Sequence, residues 1–124
     1  MPAQQRHLDQ TERHRNYAAA LLADDSFAYI EWVPVISFYA AYHYVNAYLA
    51  TQPGISHRLG HDAMQRYVAI LTELRPIQAH YFALFNDCNA ARYELQRVYR
   101  AWAQQRFDRD LEPIRRRVTA LLQA

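Results

Sequence analysis

Residues 32–49 read Trp32-Val-Pro-Val-Ile-Ser-Phe-Tyr-Ala-Ala-Tyr-His-Tyr-Val-Asn-Ala-Tyr-Leu49. This uncharged run is long enough for about five helical turns and apolar enough to be buried. Val35, Phe38, Tyr42, Val45 and Leu49 follow 3-4-3-4 spacing, the mark of one buried stripe. Tyr39, His43 and Asn46 make an adjacent stripe. An unpartnered imidazole or amide in a core costs about 1–3 kcal/mol. This helix therefore closes a polar network or builds the wall of a site. Ser37, His43, Asn46 and four tyrosines make the run too polar, and its length too short, for a bilayer. No membrane association is expected.

The flanking segments read as further helices. Residues 7–23 form the first, with Thr11 or Asp9 as its cap and Leu8, Ala18, Leu21 and Leu22 as a ragged apolar face. Asp24-Asp25-Ser26 breaks it. Pro34 suits the first turn of the second helix, expected over 33–51. Gln52-Pro53-Gly54 ends that helix. A third runs over 62–74 with Met64, Val68, Leu71 and Leu74 inward. A fourth runs over 76–88 with Ile77, Tyr81, Leu84 and Cys88 inward, and Asn86–Ala91 reads as a turn. Leu95, Val98, Tyr99 and Trp102 suggest a short segment. Phe107, Leu111, Ile114, Val118 and Leu121 mark a final helix, with Pro113 in its first turn or kinking it. The expected fold is an all-α, antiparallel up-and-down bundle of four main helices plus short extra ones, in a single domain over 1–124.

Composition agrees. Of 124 residues, 52% are hydrophobic and 21% charged, which excludes a disordered chain, and two glycines and five prolines disfavour a turn-rich sheet. The single cysteine, Cys88, permits no internal disulfide and reads as a buried thiol. It fits a cytoplasmic setting, as does an N-terminus without an apolar h-region. All 14 basic side chains of the Lys and Arg class are arginine. Residues 1–91 hold six arginines against eight acids, and residues 92–124 hold eight against four, so the charge shifts from −2 to +4.

The run Trp32-x5-Phe38-Tyr39-Ala40-Ala41-x-His43-x-Val45-x-Ala47-Tyr48-Leu49 resembles a bacterial family of HEPN-like small helical proteins. Ser56-His57-Arg58, Tyr81-x2-Leu84 and Ala91-Arg92-Tyr93 resemble the same family in order and spacing. The likeness covers roughly residues 10–122. It implies an antiparallel helical bundle that dimerises. It also implies RNA or nucleotide binding, in the setting of a toxin–antitoxin or defence system with a cognate protein partner. Active HEPN members are metal-independent endoribonucleases with an Arg-x4–6-His motif. Here the only such spacing is Arg75-Pro-Ile-Gln-Ala-His80, where Pro76 replaces the usual polar residue. No histidine follows Arg92 within seven residues. The likeness thus implies binding more than cleavage. The alternative is a non-catalytic helical adaptor or dimerisation module.

Candidate catalytic residues are His43, His57 and Arg92. An imidazole near its ordinary pKa is a usable base at cell pH, and a guanidinium stabilises phosphate charge. Arg58, Tyr39, Asn46 and Tyr93 are the candidate RNA or nucleotide contacts, Tyr93 as a stacking ring. His57 and His61 stand at a metal-ligand spacing but lack a third ligand nearby, so no metal and no cofactor is expected. Glu112 and Arg116 read as an i, i+4 pair. His7 and His14 read as surface residues. Tyr39, Tyr42, Tyr44 and Tyr48 surround one helix, which suggests that a homodimer or hetero-assembly using the second or last helix covers it.

Overall fold

The computed structural model describes residues 3–55, 60–93 and 99–123, without the side chains of Ala3, Gln4, Arg92 and Tyr93. Its regular elements are helical, with no strand among the described residues. In order they are α1 (Ala3–Ala23), α2 (Trp32–Leu49), α3 (His61–Ile70), a 3-10 helix (Thr72–Ile77), α4 (Gln78–Tyr93), α5 (Arg100–Arg106), a π turn (Phe107–Leu111) and α6 (Glu112–Gln123). Among the described residues no helix is long and apolar enough to cross a membrane.

The second helix is the centre of the molecule. Val33, Tyr44, Val45, Ala47 and Leu49 are fully buried, and Phe38 and Tyr48 nearly so. Tyr42, expected in the buried stripe, is only half-buried, and burial extends round the helix instead. The chain itself provides the cover: α2 packs on α1, α4 and α6, with the π turn and α3 closing the rest. The reason for invoking a second copy to cover this helix therefore falls away.

The first helix starts at residue 3, so Asp9 and Thr11 lie inside it and cap nothing. Thr11 is fully buried, and its hydroxyl donates to the Ala40 carbonyl of α2. Asp9 accepts from Gln5 at 2.9 Å. Contacts between α1 and α2 run in opposite sequence order, His7 with His43 and then Thr11 with Ala40, so the two helices are antiparallel.

The third helix ends earlier than expected, at Ile70, because Leu71 turns extended (φ −76°, ψ 126°). Pro76, which has no N–H to donate, lies in the 3-10 segment that follows. The fourth helix begins at Gln78 and continues through Asn86–Ala91, where a turn was expected. Asp87 has a polar reason to stay helical there: it pairs with Arg106. Near the C-terminus the helix widens into a π turn directly before Pro113. A proline cannot bond the carbonyl four residues back and crowds it, and a wider turn relieves both problems. Tyr99, expected inward, precedes α5 in extended backbone and is 62% exposed. Leu95 and Val98 lie outside the described residues.

Arginines of the basic C-terminal third act as internal braces. Arg100 donates to the carbonyls of Leu21 (3.1 Å), Leu22 (2.8 Å) and Phe27 (2.8 Å). Arg115 reaches Glu12 at 3.2 Å and Glu112 at 3.4 Å. Arg117 donates to the Glu73 carbonyl at 2.9 Å. Glu112 takes Arg15 at 2.7 Å together with Arg115, rather than the expected Arg116, which is exposed.

Candidate functional site

His43 sits on the half-buried side of α2 that faces α1. Its partners there are His7 and His14, one helical face of α1, and neither is a plain surface residue. The Nδ1 atoms of His7 and His43 are 3.3 Å apart, so one ring donates and the other accepts. The His14 and His43 ring centroids are 5.4 Å apart. The contacts continue outward through Tyr42 (5.3 Å from His43) to His61 at the start of α3 (5.6 Å from Tyr42) and to Phe85 on α4 (6.1 Å from His61). Rings from four helices thus make one ladder. Periodicity could place His7 and His14 on a common face of α1, but not opposite His43.

The central imidazole of this cluster, His43, is neutral. Burial, and then the neighbouring His14 and His7, push the His43 pKa down to about 4. His14 is lowered as well, by burial and by Arg13. At neutral pH His43 is therefore a hydrogen-bonding group and a weaker base than the ordinary imidazole that was expected. The Gln10 amide nitrogen lies 3.0 Å from His14 Nε2, so that nitrogen accepts and the ring carries its hydrogen on Nδ1. That Nδ1 is buried without a hydrogen-bond partner. Among the described residues no group of three or more His, Cys, Asp or Glu is arranged to hold a metal ion.

The remaining expected residues divide. Tyr39 is half-buried, its ring 5.7 Å from Phe38. Asn46 is 1% exposed, a core residue whose side-chain oxygen finds no partner, and so it cannot meet a ligand at the surface. Arg92 and Tyr93 close α4, and their side chains lie outside the description. His57 and Arg58 lie outside the described residues, so the structure neither joins them to His43 nor separates them.

A second polar cluster escaped the sequence reading. His80 Nδ1 meets Asp110 Oδ1 at 2.9 Å, and Arg106 Nη1 donates to Asp110 Oδ2 at 3.2 Å. Arg106 Nε lies 3.2 Å from Asp87 Oδ2, an ion pair without hydrogen-bond alignment. Burial raises the Asp87 pKa, and Asp110 adds to the rise against the pull of Arg106. Asp110, itself in the π turn, is 6% exposed. Bonded through Nδ1, a neutral His80 leaves Nε2 as its accepting atom. The pairing spans 30 residues; the Arg106–Asp110 spacing of four was its only local trace. The chain matches no family model, no curated protein and no solved structure.

Proposed function

We propose that this chain is a HEPN-like helical protein, on an up-and-down bundle scaffold, that binds RNA or a nucleotide at the ring ladder around His43 and does not cleave it. One observation carries the reading. A neutral, half-buried His43 stands with His7, His14 and Tyr42 in a half-open stack of imidazole and phenol rings. Such a surface offers π faces to a base and donors and acceptors to its edge. The likeness of the Phe38–His43 run supports it, and it brings Arg58, Arg92 and Tyr93 as candidate phosphate and stacking contacts, with His57 beside them. Cleavage by a His43 acid is disfavoured, because a group with a pKa about 4 is almost wholly unprotonated at pH 7.

The test is binding and cleavage of a mixed-sequence RNA pool and a nucleotide mixture in EDTA. The proteins compared are wild type, His43→Ala, His14→Ala, His57→Ala and Arg92→Ala. Expected are intact RNA and saturable binding that weakens with salt and with His43→Ala. Binding equal in all variants, or none in wild type, sinks the proposal.

A second reading, a non-catalytic adaptor that binds a cognate protein, is favoured by a different observation. Tyr17, Tyr29 and Trp32 are exposed together on one groove. A homodimer through this face is one form of that reading.

A further inference from the structure

The end of α1, the loop after it and the first turns of α2 frame a groove of about 330 Å³. It is lined by Tyr17, Leu21, Phe27, Tyr29, Trp32 and Ile36. Among the described residues five large apolar side chains are exposed. Three of them line this groove: Tyr17 (56%), Tyr29 (63%) and Trp32 (54%). Phe27 meets Tyr29 edge-on at 6.2 Å, so a fourth ring backs the first three. Trp32 begins α2 eleven positions before His43, about 16 Å along the helix, and the groove shares no lining residue with the ring ladder. Water-exposed tryptophan and tyrosine at one concave spot are the residues that anchor protein partners.

Charge selects the partner. Residues 24–31 carry Asp24, Asp25 and Glu31 and no basic residue. The negative end of α1 and the positive end of α2 both lie at this corner and offset one another, so the three carboxylates set its sign. The molecule already answers this field once, with the Arg100 guanidinium on the Leu21, Leu22 and Phe27 carbonyls. Three carboxylates against that one guanidinium leave a formal −2. A nucleic-acid phosphate is repelled by a segment of that charge. A purely apolar segment would strip water from the carboxylates and return nothing. A planar guanidinium stacks on aromatic faces and pairs with carboxylates, which a compact ammonium does less well in an open groove.

We propose that this groove docks an arginine-bearing basic peptide segment of a partner protein, its guanidinium stacked among Tyr17, Tyr29 and Trp32 with Asp25 and Glu31 as counter-charges. The proposal deepens the adaptor reading and rests on it, and is independent of ligand binding at His43.

The experiment uses the full chain with Trp102→Phe, so that Trp32 is the sole indole reporter. It is titrated with three probes: a nine-residue peptide with arginine at alternate positions, the same peptide with leucine for arginine, and tetramethylammonium. Expected is a saturable change in Trp32 fluorescence with the arginine peptide alone, weakening as salt rises. Tyr17→Ala, read by the same indole, weakens binding about tenfold, and the Asp25→Asn, Glu31→Gln pair weakens it about fivefold. Preference for the leucine peptide overturns the cation proposal while leaving an adaptor with an apolar partner. Binding of tetramethylammonium alone overturns it in favour of a small amine. No response to any probe overturns both the proposal and the adaptor reading at this groove. Arginine-peptide binding unchanged by Tyr17→Ala and by the charge variants places that peptide elsewhere, and overturns the proposal too.

Discussion

The phenolic hydroxyl of Tyr44, on the central helix, donates to the carboxylate of Glu12 on the first. The Tyr44 side chain is fully buried, and Arg115 of α6 holds the same carboxylate at 3.2 Å. One buried phenol thus links three helices. Burial opposes charge on Glu12, but the bonds from Tyr44 and Arg115 outweigh it and hold the carboxyl below its ordinary pKa. Tyr81 is the contrast: equally buried, with a hydroxyl that finds no hydrogen-bond partner. Tyr44→Phe should lower stability by about 1–2 kcal/mol, and Tyr81→Phe should leave it unchanged or raise it. Urea unfolding of both variants checks the difference; equal losses would contradict the assignment.

The burial of His43, reinforced by the neighbouring His14 and His7, makes stability depend on pH. The unfolded chain takes a proton on His43 near pH 6.5, while the folded chain resists until about 4. The unfolded state therefore holds more protons between these values, and stability is complete above pH 6.5 and falls as pH falls toward 4. Discounted for the ring's partial contact with water, the loss between pH 7 and 5 is about 1 kcal/mol. His14 acts in the same direction. Urea midpoints at pH 7, 6 and 5 should decline in wild type and flatten in His43→Gln. An unchanged slope in the variant would assign the dependence to other groups.

Arg100 closes the end of α1 from 79 residues away. Its guanidinium reaches carbonyls on both the helix end and the following loop, which a single ammonium cannot span. Arg100→Ala should cost about 2–3 kcal/mol, and Arg100→Lys should recover less than half. Amide hydrogen exchange over residues 21–27 is the direct readout, with faster exchange expected in both variants.

Asp110 holds the π turn against α4 through His80 and Arg106. Asp110→Ala removes both acceptors and leaves a partly solvated guanidinium beside Asp87 alone, at a cost of about 2 kcal/mol. Calorimetry of Asp110→Ala and His80→Ala should show the larger loss for Asp110.

The helical class and most of the core were legible because period 3.6 is written into positions such as Val68, Leu84 and Val118, all buried as expected. Boundaries were less legible where one residue decides them. The extended turn at Leu71 has no strong local marker, and the polar Asn86–Ala91 run is helical with Asp87 paired to the distant Arg106. The site was half legible. His43 declared itself as a polar residue in an apolar run, but its partners lie on another helix, and pairing across helices leaves no local pattern. Asn46 looked equivalent to His43 by spacing, yet three positions along the helix rotate it into the core.

The arginine braces give the chain an order of completion during synthesis. Glu12 waits for Arg115, 103 residues later, and Arg15 waits for Glu112, 97 residues later. At about 5–20 residues per second, roughly 5–20 s separate the synthesis of Glu12 and Arg15 from that of their partners. Until the last helix emerges the early hairpin holds Glu12 through Tyr44 alone, and a chain cut short before residue 112 lacks both ion pairs that tie α1 to α6.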